Sequence, residues 1–217
     1  MGKYLNKLIS ISSPALCQSE PKLSEELLSK ARDLGVELTY LLLLKNGFYA
    51  FESALHVLPS NCPTYVIDIE RWNQFELWKK DYGSFVEDYL FFAEDIFGEQ
   101  FALFDNCIYR FDPEIGEFDE FANSFEEWAE KIMTDYEVET GYPLAAEWQE
   151  LNRPLDFGER LLPKILFILG GEYEVENLYA LDAVKGMRFR ADMWKQIKDL
   201  PEGAEVEIKV INVPDKD

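Results

Sequence analysis

Along Tyr89–Trp128 the spacing of the apolar residues changes, and that change limits what the chain can become more than any other feature. Phe101 and Leu103 alternate with Ala102 and Phe104, the period of a pleated strand. Asp105-Asn106 suits a two-residue hairpin turn, since both residues tolerate a left-handed backbone. Cys107, Tyr109 and Phe111 resume the alternation against Ile108 and Arg110. Asp112-Pro113-Glu114-Ile115-Gly116 is a second turn signal, Pro presetting φ and Gly allowing a positive one. After a short run from Glu117 to Phe121, Ser124 and Glu127 stand at capping-box spacing. Phe125, Trp128, Ala129, Ile132, Met133 and Tyr136 then share one helical face. These spacings predict adjacent strands over 99–104 and 107–112, a third short strand, and a helix over 125–137 packed by Trp128 and Ile132.

The other elements are read around this meander. Leu23, Leu27, Ala31 and Leu34 keep helical spacing until Gly35 stops them. A second helix is predicted from Val36 to Lys45; with Tyr40 and Leu41 to Leu44 it is apolar almost all round, so burial is expected. Asn46-Gly47 supplies its left-handed cap. Phe48 to Leu58 reads as a strand, and Asp68 caps a third helix bearing Ile69, Trp72, Phe75 and Trp78 or Lys79, stopped by Gly83. Beyond Tyr142-Pro143, Leu144, Trp148 and Leu151 mark a short helix, and Asn152-Arg153-Pro154 a linker. Lys164–Leu169 is predicted as a buried strand closed by Gly170-Gly171, and Leu178–Ala183 as another. Met193, Trp194, Ile197 and Leu200 share a helix face, and Val206, Ile208 and Val210 point inward from a final strand. Residues 1–20 carry no clear pattern. The expectation is an α+β chain with a mixed, mainly antiparallel sheet. Residues 1–141 form its core domain and 142–217 a small α/β extension packed on that core.

Charge narrows the function classes. At 47% hydrophobic and 15% aromatic, the 217 residues suffice for a sizeable core, which excludes a disordered or disulfide-held chain. The net charge of −21 argues against direct nucleic-acid binding and against an anionic membrane surface. Between Glu87 and Glu139, 17 carboxylates face only Arg110 and Lys131, so 17 − 2 gives a net −15 on the most aromatic stretch. Such a run is either a solvated face or a patch for something basic; aromatic anchors within a charged rim favour the second. Acids in turns are freest to reach a partner: Glu94 and Asp95 before Gly98, Asp105 in the hairpin, and Glu114 and Glu117 about Gly116. Cys17, Cys62 and Cys107 form no Cys-x-x-Cys and read as reduced thiols of a cytoplasmic protein. Polar residues interrupt the run between Lys7 and Cys17, unlike a signal peptide, and Leu41–Leu44 is far too short to span a membrane.

The search for chemistry returns mostly exclusions. His56 is the only histidine, so HExxH and multi-His metal sites are impossible; no GxSxG elbow accompanies it, and a packed histidine in a strand is expected. Gly170-Gly171 belongs to neither phosphate-binding glycine motif. Glu207-x-Lys209 matches half of a nuclease motif but also the alternating charges of a strand's solvent face. The acids from Asp112 to Asp119 lack EF-hand spacing. Carboxylate pairs for glycosidic chemistry stay open, since their separation is not visible in sequence. No catalytic residue, metal or cofactor is expected.

The order of elements, with Lys45-Asn46-Gly47, Tyr89-Leu-Phe-Phe-Ala93, Gly98-Glu-Gln-Phe-Ala-Leu-Phe104, Ile108-Tyr109, Asp112 and Phe125-x-x-Trp128, resembles the SUKH superfamily. That superfamily includes regulators of cell-wall glucan synthesis and many bacterial toxin-immunity proteins. The resemblance spans residues 20–140 and carries over Asn46, Gly47, Phe92, Ala93, Asp95, Gly98, Ala102, Tyr109 and Phe125. Phe48 departs from it, standing where members often have a second Gly. The segments Gly170–Glu174 and Met187–Arg190 are similar to extensions in immunity proteins of type VI secretion effectors. The resemblance implies a non-enzymatic cytoplasmic protein that binds and neutralises a cognate toxin, frequently a nuclease-type effector, and the strongly acidic charge suits a basic one. The alternatives are a regulatory or scaffold protein with a cellular partner, and a carboxylate-based hydrolase.

Overall fold

The structure, a computed structural model, describes residues 2–63, 67–201 and 203–204. The expected last strand at Val206–Val210 and the Glu207-x-Lys209 pair lie outside these residues. Six strands form one meander in chain order: β1 (Phe48–Ala50), β2 (Leu55–Val57), β3 (Leu90–Asp95), β4 (Gln100–Phe104), β5 (Cys107–Asp112) and β6 (Glu117–Ala122). The class is α+β. Every pair among the described strands is antiparallel, so the sheet is not mixed. In the β4–β5 hairpin Phe101 lies opposite Arg110 and Leu103 opposite Ile108. Its turn is Asp105-Asn106, with φ of 45° and 66°. Strand β6 continues the ladder, Asp119 opposite Arg110 and Glu117 opposite Asp112.

Aromatic rings cover both faces of the sheet. On one, Phe92 and Phe101 meet Trp128 of α6 (Phe125–Thr134) at ring distances of 5.5 and 5.7 Å. On the other, Phe91 and Phe111 meet Trp78 at 4.9 and 6.5 Å. Trp128 and Ile132 are fully buried. The Ser124 hydroxyl accepts the Glu127 N–H at 3.1 Å, whereas the Glu127 carboxylate returns to Asn123, one residue earlier than a capping box requires. The helix stops at Thr134, short of the predicted 137, because Asp135 leaves helical geometry before α7 (Tyr136–Thr140).

Several elements differ from the pattern reading. Residues 1–20 contain α1 (Lys3–Ile11), which lacks a local side-chain cap; the Glu126 carboxylate instead accepts from Tyr4 N–H and Leu5 N–H. The break between α2 (Glu25–Ala31) and α3 (Asp33–Leu44) falls at Arg32, φ 48°, and Gly35 continues α3 because its bare Cα packs on Leu28. Helix α3 buries Leu34, Gly35, Leu38, Leu41 and Leu42; Val36, Tyr40 and Leu43 are exposed, so the helix is not buried all round. Phe48–Leu58 is a hairpin, not one strand, folded at Phe51, Glu52 and Ser53, all with positive φ. Asp68 caps α4 (Ile69–Trp72) as expected, but the helix is one turn, followed by a π-helical turn and then α5 (Lys80–Tyr82).

Beyond residue 141, α8 (Tyr142–Leu151) leads to β7 (Glu159–Pro163), paired with β8 (Leu178–Asp182), and α9 (Ala183–Ile197) closes the described chain. The strand predicted over Lys164–Leu169 lies earlier, at β7. Ile165 itself is held outside the sheet by the Asn177 side chain, which bonds both its N–H and its carbonyl. Ala183, Met187 and Ala191 of α9 join the main core. A smaller core unites Ile96 and Phe97 with Ala145, Trp148, Leu161 and Leu178. Residues from both sides of position 141 therefore build both cores.

Candidate functional site

Where β3 ends, the chain turns through Phe97 and Gly98 into β4, and this end of the sheet faces α7, the start of α8 and the segment before β8. A cleft of about 530 Å³ opens there. Its walls are Phe97, Glu99, Arg110, Asp112, Asp119, Glu137, Val138 and Tyr173, with Ile115 and Leu144 between them. An adjoining cavity of about 250 Å³ shares Phe97, Glu99, Asp112, Ile115 and Tyr173 and adds Glu114, Phe167 and Arg190. The register explains the grouping. Arg110 and Asp119 are cross-strand partners, and the Asp112-to-Glu117 turn brings Glu114 and Ile115 to the same end. The Tyr173 ring stacks on Phe167 at 3.9 Å and stands edge-on to Phe97 at 5.8 Å, a flat aromatic wall with Tyr173 exposed.

Negative charge outweighs positive charge in the cleft. Arg110 pairs with Asp95 at 3.3 Å, with Glu139 at 2.8 Å and with Glu99, and its guanidinium lies over the Phe101 ring. Burial opposes its charge, but Glu99, Asp95 and Glu139 outweigh that and raise its pKa. The carboxylates bear the crowding. Burial, then Glu99, pushes Asp95 well above the usual range, and burial with Asp112 raises Glu99 against the pull of Arg110. Asp112, Asp119 and Glu137 enter no ion pair among the described residues. No group of three or more potential metal ligands among the described residues is arranged to hold a metal ion.

The five acids expected in free turns do not gather into one surface. Glu94, Asp95 and Glu114 are buried at 1%, 1% and 5% exposure, so none is free to reach a partner as a mobile turn residue. The reason is that β3 runs through Asp95, carrying both acids into the sheet's interior end. Glu94 accepts from Arg160 Nε and Gln100 Nε2 at 2.9 and 3.0 Å and faces His56 Nδ1 at 2.9 Å. Burial alone would raise its carboxyl; Arg160 and then His56 outweigh burial and bring it down to about 2. His56 is itself buried, stacked on Tyr49 at 4.4 Å, and its pKa is lowered by burial. Asp105 is exposed and pairs with Arg32, but it lies at the opposite end of the β4–β5 hairpin from the cleft. Glu117 is exposed beside Asp112, near the cleft rim. Glu137 and Tyr173 were not singled out by sequence, and Asp112 and Asp119 were read as turn and motif residues rather than as partner contacts; the legible signal was the alternation placing Arg110 and Asp112 on one strand with partners across the next turn.

No family model matches the chain, and no curated protein matches it. Among solved structures, the chain is similar to one described as the crystal structure of Atu4351 from Agrobacterium tumefaciens. The two are 14% identical over 87% of this chain and 88% of that one, with a TM-score of 0.54. The fold is shared. Among the described residues no helix is long and apolar enough to cross a membrane.

Proposed function

We propose that this chain is a non-catalytic binding protein that captures a basic protein in the acidic cleft between β5, β6, α7 and Tyr173. In keeping with its resemblance to SUKH immunity proteins, the partner is a cognate toxin, neutralised in the cytoplasm. The observation that carries this reading is the excess of carboxylates around an aromatic-walled cleft. Among the described residues Asp112, Asp119 and Glu137 enter no ion pair, beside an Arg110 already shared by three acids. Such a surface attracts a basic partner from a distance and speeds its encounter, while the aromatic wall supplies area that excludes water. His56, the one residue able to serve a histidine-based mechanism, is packed between Tyr49 and Glu94, which supports binding rather than catalysis.

The test is association kinetics with the toxin encoded beside this gene, comparing the unaltered chain with Asp119→Lys/Glu137→Lys. Both side chains are exposed and in no ion pair among the described residues, so the double variant is expected to fold. Its association rate should fall by about tenfold or more at low salt and converge on that of the unaltered chain as salt rises. Equal rates across the salt series would sink the assignment of this cleft.

A further inference from the structure

We infer that the cleft is built to take an arginine side chain from the bound polypeptide, its guanidinium resting on the Tyr173–Phe97 wall among Asp112, Asp119 and Glu137. This rests on the binding function proposed above and names the group that the cleft recognises. The first argument is the molecule's own use of Arg110. That guanidinium is held by Asp95, Glu99 and Glu139 over an aromatic ring, Phe101, with 5.8 Å between the guanidinium carbon and the ring centroid. Directly beside it the same ingredients recur: three carboxylates in no ion pair among the described residues, and a second aromatic surface, the Tyr173 ring backed by Phe167.

The second argument comes from the adjoining cavity. Glu114 on its wall is 5% exposed, and its Oε2 accepts the Ile168 N–H at 2.9 Å. Among the described residues its buried Oε1 has no hydrogen-bond partner; it forms only a long ion pair, at 3.9 Å, with Arg190 Nε, which is likewise without a hydrogen bond. A buried carboxylate oxygen paired this loosely gains from a further N–H donor that reaches it through the adjoining cavity. The shape of the site selects among cations. Asp112, Asp119 and Glu137 come from three different elements, β5, β6 and α7, an arrangement suited to a charge spread over several atoms. A planar guanidinium stacks on an aromatic face and offers five donors to separated carboxylates, whereas an ammonium is a compact, strongly hydrated point charge.

The probe is Nα-acetyl-L-arginine N-methylamide, a blocked arginine that mimics one residue of a chain. It is titrated into the full protein carrying methyl labels on isoleucine and valine. Ile115 and Val138 line the cleft and report directly. Saturating shifts at these two methyls are expected, with a Kd on the order of 1 mM for a single side chain. The blocked lysine should bind about threefold or more weakly, and the neutral isostere citrulline should leave both methyls unmoved. Asp119→Asn/Glu137→Gln should weaken the arginine probe by about five- to tenfold. Citrulline shifting Ile115 and Val138 as arginine does, or arginine shifting neither, overturns the inference. Agmatine binding far more tightly than the blocked arginine would also overturn it, since the site would then serve a free guanidino compound. The two proposals fail separately. A toxin whose binding ignores the Asp119/Glu137 variants removes the cleft reading even if the arginine probe binds. A toxin that does depend on them, with no response to the probe, removes only the arginine assignment.

Discussion

Glu94→Gln is expected to lower folding stability at pH 7 by about 3 kcal/mol, which makes Glu94 a stability residue rather than a partner contact. The magnitude follows from its surroundings. The carboxylate is 1% exposed and takes hydrogen bonds from Arg160 and Gln100 beside His56. Arg160 is equally buried; its Nη1 reaches the Ser53 carbonyl and, among the described residues, its Nη2 has no hydrogen-bond partner and Glu94 is the carboxylate paired with it. The Glu94 carboxyl falls from its ordinary 4.5 to about 2 on folding, and at about 1.4 kcal/mol per unit that corresponds to about 3 kcal/mol. The sign is that of a depressed carboxylate. The contribution is complete above 4.5 and is lost as pH falls through about 2. Urea denaturation followed by tryptophan fluorescence, at pH 7 and in steps down to pH 2, measures both effects. The variant should unfold at lower urea at pH 7 and lose stability less steeply between pH 4.5 and pH 2. Glu94→Gln/Arg160→Met should lose less than the two single changes summed, because removing both charges leaves no buried orphan. A loss below about 1 kcal/mol at pH 7, or an unchanged acid slope, would refute the reasoning.

Three further outcomes are expected. Lys79 is fully buried, donates to the Tyr89 carbonyl at 2.7 Å, and is lowered to about 7 by burial and by Lys30. Its folded pKa lies below the unfolded 10.5, so stability rises with pH from 7 to 10.5; Lys79→Met should flatten that rise in urea midpoints and stabilise the protein at pH 6. Gly47 has φ +70°, and an added Cβ would stand 2.6 Å from the Pro59 backbone nitrogen, so Gly47→Ala should cost about 2 kcal/mol or more. In a scanning calorimeter that corresponds to a fall of about 4–8 °C in Tm. Asp105→Asn/Glu117→Lys, both exposed, should leave urea stability within about 1 kcal/mol, since Asn keeps the left-handed turn at φ 45° and only the surface pair with Arg32 is lost.

The charge-reversal set suggested by sequence, Glu94, Asp95, Asp105, Glu114 and Glu117, thus mixes two kinds of residue. Reversing the buried three would test folding, and only Asp105 and Glu117 would report on a surface. A run of acids says how much charge a segment carries, but not which carboxylates a strand draws inward. That depends on where β3 ends and on Arg110 and Arg160, which lie 15 and 66 residues from the acids they meet.

Local chemistry is what the order of residues makes legible. The β4–β5–β6 meander was legible because alternation and turn residues act over a few positions, and Asp105-Asn106 accepts a left-handed backbone wherever it occurs. Ser124 and Asp68 cap their helices through side chains three residues from their donors. The tertiary structure decided everything that depends on distant neighbours. Helix α1 has its first N–H groups met by Glu126, more than 120 residues away, and no local signal announces it. Helix α3 looks wholly apolar, yet packing covers only one of its faces. The cleft itself joins side chains from β5, β6, α7 and the Tyr173 segment. Chain proximity does not bring these together; pairing register and the packing of α7 and α8 against the sheet end do.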